Sequence, residues 1–254
     1  MIGDVVAKPG RIAVLERIQD LREQHQIDFA IMNAENLAGG FSVTPSLCEQ
    51  LFSAGIDVMT SGNHIFDKKE AIDYIRKQPR LLRPANYPPN TPGSGYWEGD
   101  VKGVRVAVIN VMGRVFMSPL DDPFAVVVRE IEAIRGKARV IVVDFHAEAT
   151  SEKVAMGCHL DGRATAVFGT HTHVQTADER LLPKGTAYIT DVGMTGPRDS
   201  VIGIRQEDAI PKFLTQMPRK FTVADGPTQL CAVLVDVGDS GRASAVQRLQ
   251  LVDD

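Results

Sequence analysis

Short apolar segments alternate with amphipathic segments along almost the whole chain of 254 residues. The apolar segments are rich in β-branched residues, which favours strands. We predict strands at 27–33, 56–60, 104–112, 138–145, 164–169, 186–190 and 229–237. The amphipathic segments carry prolines near their starts or glycines near their ends, which predicts helices at 11–25, 44–55, 67–78 and 122–136. This alternation is typical of a layered α/β protein, and we expect a single domain over 1–254.

Two strand segments, VIVVDF (140–145) and AVFG (166–169), are apolar at consecutive positions. A strand of this kind is covered on both faces, so helices or a second sheet should pack on each side. The segment 84–103 is rich in proline and glycine and predicts a long loop with room for one edge strand. That loop is either a plain surface excursion or a wall of the substrate cleft, and both interpretations stay open.

The composition excludes several classes of partner. A net charge of -4 gives no electrostatic footprint for duplex nucleic acid or for an anionic membrane, so we expect a small-molecule substrate. No run approaches the roughly 18 apolar residues of a membrane span. The three cysteines lack C-x-x-C spacing, which suits a reducing compartment, and we expect a cytoplasmic protein that could form a homo-oligomer.

The motif FGTHTHVQ places His171 and His173 two residues apart behind an apolar run. Extended backbone points residues i and i+2 the same way, so both imidazoles can face one metal ion. An isolated pair of this kind is more often two solvated or hydrogen-bonded histidines than a metal site, because a metal site needs further ligands of the right chemistry. The rest of the chain decides between these interpretations.

Five apolar runs end in residues that can bind metal. In open α/β sheets ligands bind beyond the carboxyl ends of the strands, so these residues should meet at one rim. The candidates are Asp4, Glu35 with Asn36, Asn63 with His64, His146, and His171 with His173. A mixed oxygen and nitrogen set without thiolates suits iron, manganese, zinc or cobalt. Seven of these side chains as ligands would exceed the needs of one ion, and we predict two ions about 3.5 to 4 Å apart.

The order G-D, N-A-E-N, G-N-H, a strand ending in histidine, and G-T-H-T-H resembles the calcineurin-like metallophosphoesterases, specifically their YmdB-type branch. The resemblance covers almost the whole chain and includes KPGR (8–11), NHIFD (63–67), LRPANYP (82–88) and ITDVGMTGP (189–197). It implies a four-layer α/β/β/α sandwich of two mixed sheets flanked by helices. It also implies a di-iron or di-manganese site and hydrolysis of phosphodiesters such as 2',3'- and 3',5'-cyclic nucleotides, cAMP among them.

The resemblance also assigns roles to individual residues. It implies three ligands for each ion and one bridging carboxylate: Asp4, Asn36 and His173 for the first ion, Asn63, His146 and His171 for the second, and Glu35 between them. The wider superfamily has D-x-H at its first motif, whereas Asp4 is followed here by two valines, and Asn36 looks like the substitute. Ala7 stands where the branch usually has glycine, which would strain the loop if that position needs a positive φ.

The implied mechanism is in-line attack by a metal-bridging hydroxide, with His64 as the proton donor to the leaving alkoxide. Asp67 either orients that imidazole or caps the helix that follows. The loop 189–198 either lines the pocket or only supports the histidine pair. Two other functions stay open: a phosphomonoesterase or protein phosphatase on the same scaffold, and a regulator that binds a phosphorylated ligand without hydrolysing it.

Overall fold

Helices and strands alternate through most of the chain in a computed structural model that describes residues 1–253. The helices are α1 (Ala7–Gln24), α2 (Pro45–Ser53), α3 (Lys69–Ile75), α4 (Pro123–Ile134), α5 (Thr150–Leu160) and α6 (Gln206–Thr215). The strands are β1 (Asp4–Val5), β2 (Ile31–Asn33), β3 (Val58–Thr60), β4 (Tyr96–Val101), β5 (Val104–Met112), β6 (Val140–His146), β7 (Ala166–Thr170), β8 (Arg180–Leu181), β9 (Ala187–Ile189), β10 (Met194–Pro197), β11 (Thr228–Val237) and β12 (Ala243–Val252).

The predicted α/β class is confirmed, and every predicted strand and helix is present with somewhat different bounds. Pro45 and Pro123 each occupy the first turn of a helix, where the missing N–H needs no partner. The Pro- and Gly-rich segment 84–103 does contain one edge strand, β4.

The strands form three hydrogen-bonded sheets where two were expected. A six-stranded sheet has the order β4-β5-β6-β7-β9-β8, and its inner strands are parallel. A four-stranded sheet has the order β1-β10-β11-β12, and β2 pairs with β3 alone. Single bridges from Ile2 to Ala232 of β11 and to Met32 of β2 join the two smaller sheets side by side. The split arises because β1 is only two residues long and cannot build a continuous ladder.

Three large hydrophobic clusters and a small fourth one around Met194 fill the interior of the described chain. The first lies between α1, α2 and α3 and the strands β1, β2, β3 and β11, and includes Val14, Leu51 and Met59. The second lies between α4 and α5 and the strands β5, β6 and β7. The third joins residues of the six-stranded sheet to residues of the two smaller sheets, for example Val108 of β5 to Val233 of β11. The inner strands of the six-stranded sheet contribute to both the second and the third cluster, so they are covered on both faces, as the uninterrupted apolar runs predict.

None of the helices within residues 1–253 combines the length and the apolar character that a bilayer crossing requires.

Candidate metal centre

The carboxyl ends of β2, β3, β6 and β7 meet at one rim. Register places His146 at the end of β6 beside Thr170 at the end of β7, and Asn33 at the end of β2 beside Thr60 of β3. The buried carboxylate of Asp144 connects the two pairs, because it accepts hydrogen bonds from the hydroxyls of Thr60 and Thr170 and from Asn33 Nδ2 at 3.2 Å. The segments that follow these strands therefore start close together.

Three of the predicted residues meet around Nε2 of a fourth, His146. Oε1 of Glu35 lies 3.0 Å away, Nδ1 of His171 lies 3.0 Å away, and Oδ1 of Asn63 lies 3.2 Å away. Ligand atoms of Glu35, His146 and His171 all lie within 4.8 Å of one another, which is close enough for them to share an ion. Glu35 and His146 are buried, so these polar atoms gather in a place that bulk water barely reaches.

Asp4 and Asn36 add two oxygen atoms with unused acceptor capacity. Asp4 is fully buried; its Oδ2 accepts from the backbone N–H of His171 at 3.1 Å, but its Oδ1 has no hydrogen-bond partner among residues 1–253. The side-chain amide of Asn36 donates to the carbonyl of Gly40, and its Oδ1 likewise has no partner within the described chain. Buried polar atoms are nearly always paired, so two lone acceptors at this rim fit a bound cation.

Each histidine of the set uses one ring nitrogen for an outer protein contact and leaves the other available to a ligand. The contacts are Nδ1 of His146 with the Thr170 hydroxyl (2.9 Å), Nε2 of His171 with the Glu148 carboxylate (3.2 Å), and Nδ1 of His173 with the Ile202 carbonyl (3.0 Å). The Thr170 hydroxyl already donates to Asp144, so it accepts from His146. Such outer contacts fix the tautomer and aim of a metal-binding imidazole. The donor set therefore fits transition metal ions.

Burial and mutual charge shift the pKa values of these groups strongly. Burial raises the pKa of Asp4 to about 6. Burial and the neighbouring His146 lower the pKa of His171 to about 3. Burial opposes the charged form of Glu35 and His146 too, but their attraction for each other wins: the pKa of Glu35 falls to about 2 and that of His146 rises to about 9. The protein alone thus balances its buried charge with a carboxylate–imidazolium pair at the place where an ion would fit.

His64 stands at the open side of this cluster. Its backbone N–H donates to Oε2 of Glu35 at 3.1 Å, and its Nδ1 lies 2.7 Å from Oδ2 of Asp67. The side chain is 34% exposed, so Nε2 is available to a ligand. The N-cap of α3 is Lys68, so the alternative of Asp67 as the helix cap is wrong and its contact with His64 stands.

His173 lies apart from the tight cluster. No contact within residues 1–253 joins its ring to Glu35 or His146, and its Nδ1 contacts the carbonyl of Ile202 at 3.0 Å. His173 and His171 both have a positive φ, of 66° and 100°.

Ala7 also has a positive φ, of 52°. The expectation of strain at Ala7 is therefore confirmed, because an L-residue with a side chain disfavours that region.

Some supporting residues were not predicted. The buried Lys153 donates to Oδ2 of Asp191 at 2.6 Å, and the same oxygen accepts from the backbone N–H and hydroxyl of Thr172. This contact supports the loop between the two histidines, which favours the supporting interpretation of the segment 189–198. The signal that could have found these contacts is a carboxylate within or directly after an apolar run, as at Asp144 and Asp191.

The start of the segment 84–103 is fastened at the same rim. The buried Asn86 side chain donates to the carbonyl of Met112 at 2.8 Å and accepts from its N–H at 2.9 Å, and Met112 pairs with His146 across β5 and β6. This placement favours the interpretation of the segment as a cleft wall.

A layered α/β fold that gathers carboxylate, amide and imidazole groups at one rim of its strands is the arrangement of a metallophosphoesterase. A family model described as YmdB-like protein matches residues 1–249, and the chain belongs to that family. The resemblance seen in the sequence is therefore confirmed.

Known relatives match over the full chain. A Bacillus subtilis (strain 168) protein named 2',3'-cyclic-nucleotide 2'-phosphodiesterase is 49% identical over 254 residues, which are 100% of this chain and 96% of that protein. A Thermus thermophilus crystal structure, described as a hypothetical protein, has a TM-score of 0.94 and 44% identity, covering 100% of this chain and 98% of its own. A Mycoplasma pneumoniae structure, described as a novel phosphatase, has a TM-score of 0.94 and 34% identity, covering 100% and 92%. These relatives confirm the prediction of an enzyme of the phosphoric ester hydrolase type.

Proposed function

We propose that this chain is a binuclear metal-dependent phosphodiesterase that hydrolyses 2',3'- and/or 3',5'-cyclic nucleotides such as cAMP. The observation that carries the proposal is the convergence of Glu35, Asn63 and His171 on His146, beside a buried oxygen of Asp4 that lacks a partner among the described residues. The name of the Bacillus subtilis relative supports a 2',3'-cyclic nucleotide as the first substrate to test.

The proposed ligand sets follow the family motif. The first ion would be held by Asp4, Asn36 and His173, the second by Asn63, His146 and His171, and Glu35 would bridge them. Iron or manganese suits these oxygen and nitrogen donors. Two such ions, when bound, supply an activated water and neutralise charge on the phosphoryl oxygens. The available nitrogens of the three histidines and the lone oxygens of Asp4 and Asn36 support the assignment.

The residues of the chain would divide the remaining work. His64 donates a proton from Nε2 to the departing alkoxide, because its Nδ1 is held by Asp67. Asp67 is a positioning residue: its carboxylate lies 2.7 Å from Nδ1 and fixes the orientation of the imidazole. The backbone N–H of His64 donates to Glu35, which keeps the proton donor next to the proposed ions.

The test uses purified protein reconstituted with Mn²⁺ or Fe²⁺ and assayed on 2',3'-cAMP and 3',5'-cAMP. We expect metal-dependent turnover, and a His64→Ala variant should lose about 10²- to 10⁴-fold in kcat while its metal content stays unchanged. His159→Ala is the matched control, because His159 is an exposed histidine on α5. Unchanged turnover in His64→Ala would contradict the proton-donor role, and wild-type protein without turnover would favour the regulator.

The Mycoplasma pneumoniae structure is described as a novel phosphatase, so the phosphomonoesterase alternative is tested as well. Side-by-side assays of 2',3'-cAMP and 3'-AMP separate the two functions. A phosphodiesterase should accumulate the nucleotide monophosphate, whereas a phosphomonoesterase should release inorganic phosphate from 3'-AMP at least as fast.

We also propose the four-layer α/β/β/α arrangement, in a single domain over 1–254, for the architecture. The three large hydrophobic clusters support it, because they correspond to a helix–sheet, a sheet–sheet and a sheet–helix interface. In this arrangement the rim with His146 lies at one end of the central sheet–sheet interface.

A further inference from the structure

Phe41 is an aromatic side chain left 45% exposed beside the proposed proton donor. Its ring centroid lies 5.6 Å from that of His64, at an interplanar angle of 64°. An exposed phenylalanine loses the apolar burial that normally holds such a ring in a core. Its place against His64 therefore suggests a surface that a ligand covers.

The loop that presents Phe41 is rigidly built. The amide of Asn36 donates to the carbonyl of Gly40 at 2.9 Å, and Gly40 N–H donates back to the Asn36 carbonyl at 3.2 Å. The buried hydroxyl of Ser42 donates to the carbonyl of Ile65 at 2.6 Å. The loop thus starts at a proposed metal ligand and is tied down one residue after His64. This double anchoring fixes Phe41 relative to both the proposed ions and the proton donor.

The chemistry of the leaving group places the nucleoside near this ring. His64 must lie next to the oxygen that it protonates. In a 2',3'-cyclic nucleotide opened at the 2' position, that oxygen is bonded to the ribose carbon beside the one that carries the base. A base attached there is close to His64, and the ring of Phe41 lies 5.6 Å from that imidazole. Stacking on an aromatic ring holds any base by its face.

We propose that Phe41 is a specificity-determining residue that contacts the nucleobase of the substrate. This inference rests on the proposed phosphodiesterase function. Phe41 supplies affinity for the nucleoside, while the metal ligands and His64 act on the phosphate. Selectivity between a nucleotide and a small diester without a base then depends on this one side chain.

The experiment compares two cyclic diesters on metal-reconstituted protein: 2',3'-cAMP, and glycerol 1,2-cyclic phosphate, which has the same five-membered ring but no base. In Phe41→Ala we expect kcat/KM for 2',3'-cAMP to fall about 5- to 150-fold, mainly through KM. For glycerol 1,2-cyclic phosphate we expect a change of less than about threefold. Phe41→Trp should keep the wild-type preference, because the indole ring also stacks on a base.

Phe116→Ala is the matched control, because Phe116 is 90% exposed and should leave both substrates unaffected. Equal losses on both substrates in Phe41→Ala would overturn the inference, since they would mean that Phe41 only supports His64. An unchanged preference, or a base-dependent loss in Phe116→Ala instead, would also overturn it. Wild-type protein that hydrolyses neither diester would refute the proposed function itself, and the inference with it, before any variant is compared.

Discussion

The buried ion pair of Lys153 and Asp191 offers a direct test of what holds the loop 171–173, called the histidine loop below. Each side chain is 1% exposed, and Nζ lies 2.6 Å from Oδ2. Asp191 also accepts from the backbone N–H of Thr172 at 3.1 Å and its hydroxyl at 2.7 Å, and from the N–H of Gly193 at 2.8 Å. Lys153→Met removes the ammonium, keeps most of the apolar stem and leaves the carboxylate buried without its cation.

Removing one partner of a buried pair costs about 3 to 5 kcal/mol, because the remaining charge is no longer compensated. Asp191 keeps its hydrogen bonds from Thr172 and Gly193, so we expect the lower end, about 3 kcal/mol in the free energy of unfolding. For a chain of this size that loss lowers the Tm by roughly 6 to 12 °C. Because both groups are buried, water does not screen their attraction as it does for an ion pair at the surface.

Thermal and denaturant unfolding of metal-free protein measures this loss. The control is Lys102→Met, whose ion pair with Asp28 is exposed and should contribute at most about 1 kcal/mol. The double variant Lys153→Met/Asp191→Asn should recover part of the loss, because it removes the unpaired charge and keeps an acceptor for Thr172. A loss in Lys153→Met no larger than that in Lys102→Met would refute the reasoning.

Three further predictions concern stability and accessibility. Ala7→Gly should raise the free energy of unfolding by about 0.5 kcal/mol, because relief of the left-handed strain outweighs the greater chain entropy of the unfolded glycine variant and the lost burial of the methyl group. A loss of stability in denaturant unfolding would contradict this prediction. Burial raises the pKa of the Cys48 and Cys231 thiols to about 12, so iodoacetamide at about pH 8, near the ordinary thiol pKa, should label only the exposed Cys158, as mass spectrometry would show; labelling of all three thiols without denaturant would contradict this. Mn²⁺ at about 100 times its Kd should add about 2.7 kcal/mol to the free energy of unfolding, and EDTA should reverse that gain in calorimetry. A Tm that changes with neither Mn²⁺ nor EDTA would contradict the proposed ligand set.

The central strands could be predicted from the sequence because their signal is local. β5, β6 and β7 are nearly continuous apolar runs, and burial on both faces requires that composition. The strand β12 was not predicted, because its residues are mostly exposed and polar ones interrupt the apolar positions. It forms through a long antiparallel ladder with β11, a tertiary contact that no short window of sequence contains. The two-residue β1 lies below the length at which any periodicity can be read.

The residues of the candidate site also differ in how far the sequence predicts them. The residues at strand ends were predictable, because parallel strands bring their carboxyl ends to one rim whatever the intervening sequence. The partners that aim the imidazoles were not, because Glu148 and the carbonyl of Ile202 reach His171 and His173 only through the folding of separate loops. Asp144 is intermediate: a carboxylate inside an apolar strand signals a buried partner, but only the structure shows that Thr170 is such a partner.

The backbone of the histidine loop explains why so much buried polar structure lies behind it. His171 and His173 have φ of 100° and 66°, and a residue with a side chain held there costs of order 1 to 3 kcal/mol. Such a conformation persists only where the surroundings determine it, and the contacts of Asp191 with Thr172 and Lys153 lie between and beneath the two residues. Loss of Lys153 should therefore weaken metal binding as well as stability, because a relaxed loop no longer holds the two imidazoles at their proposed ions. A Lys153→Met protein that unfolds more easily but binds Mn²⁺ as tightly as wild type would show that the ion pair stabilises the fold without positioning the ligands.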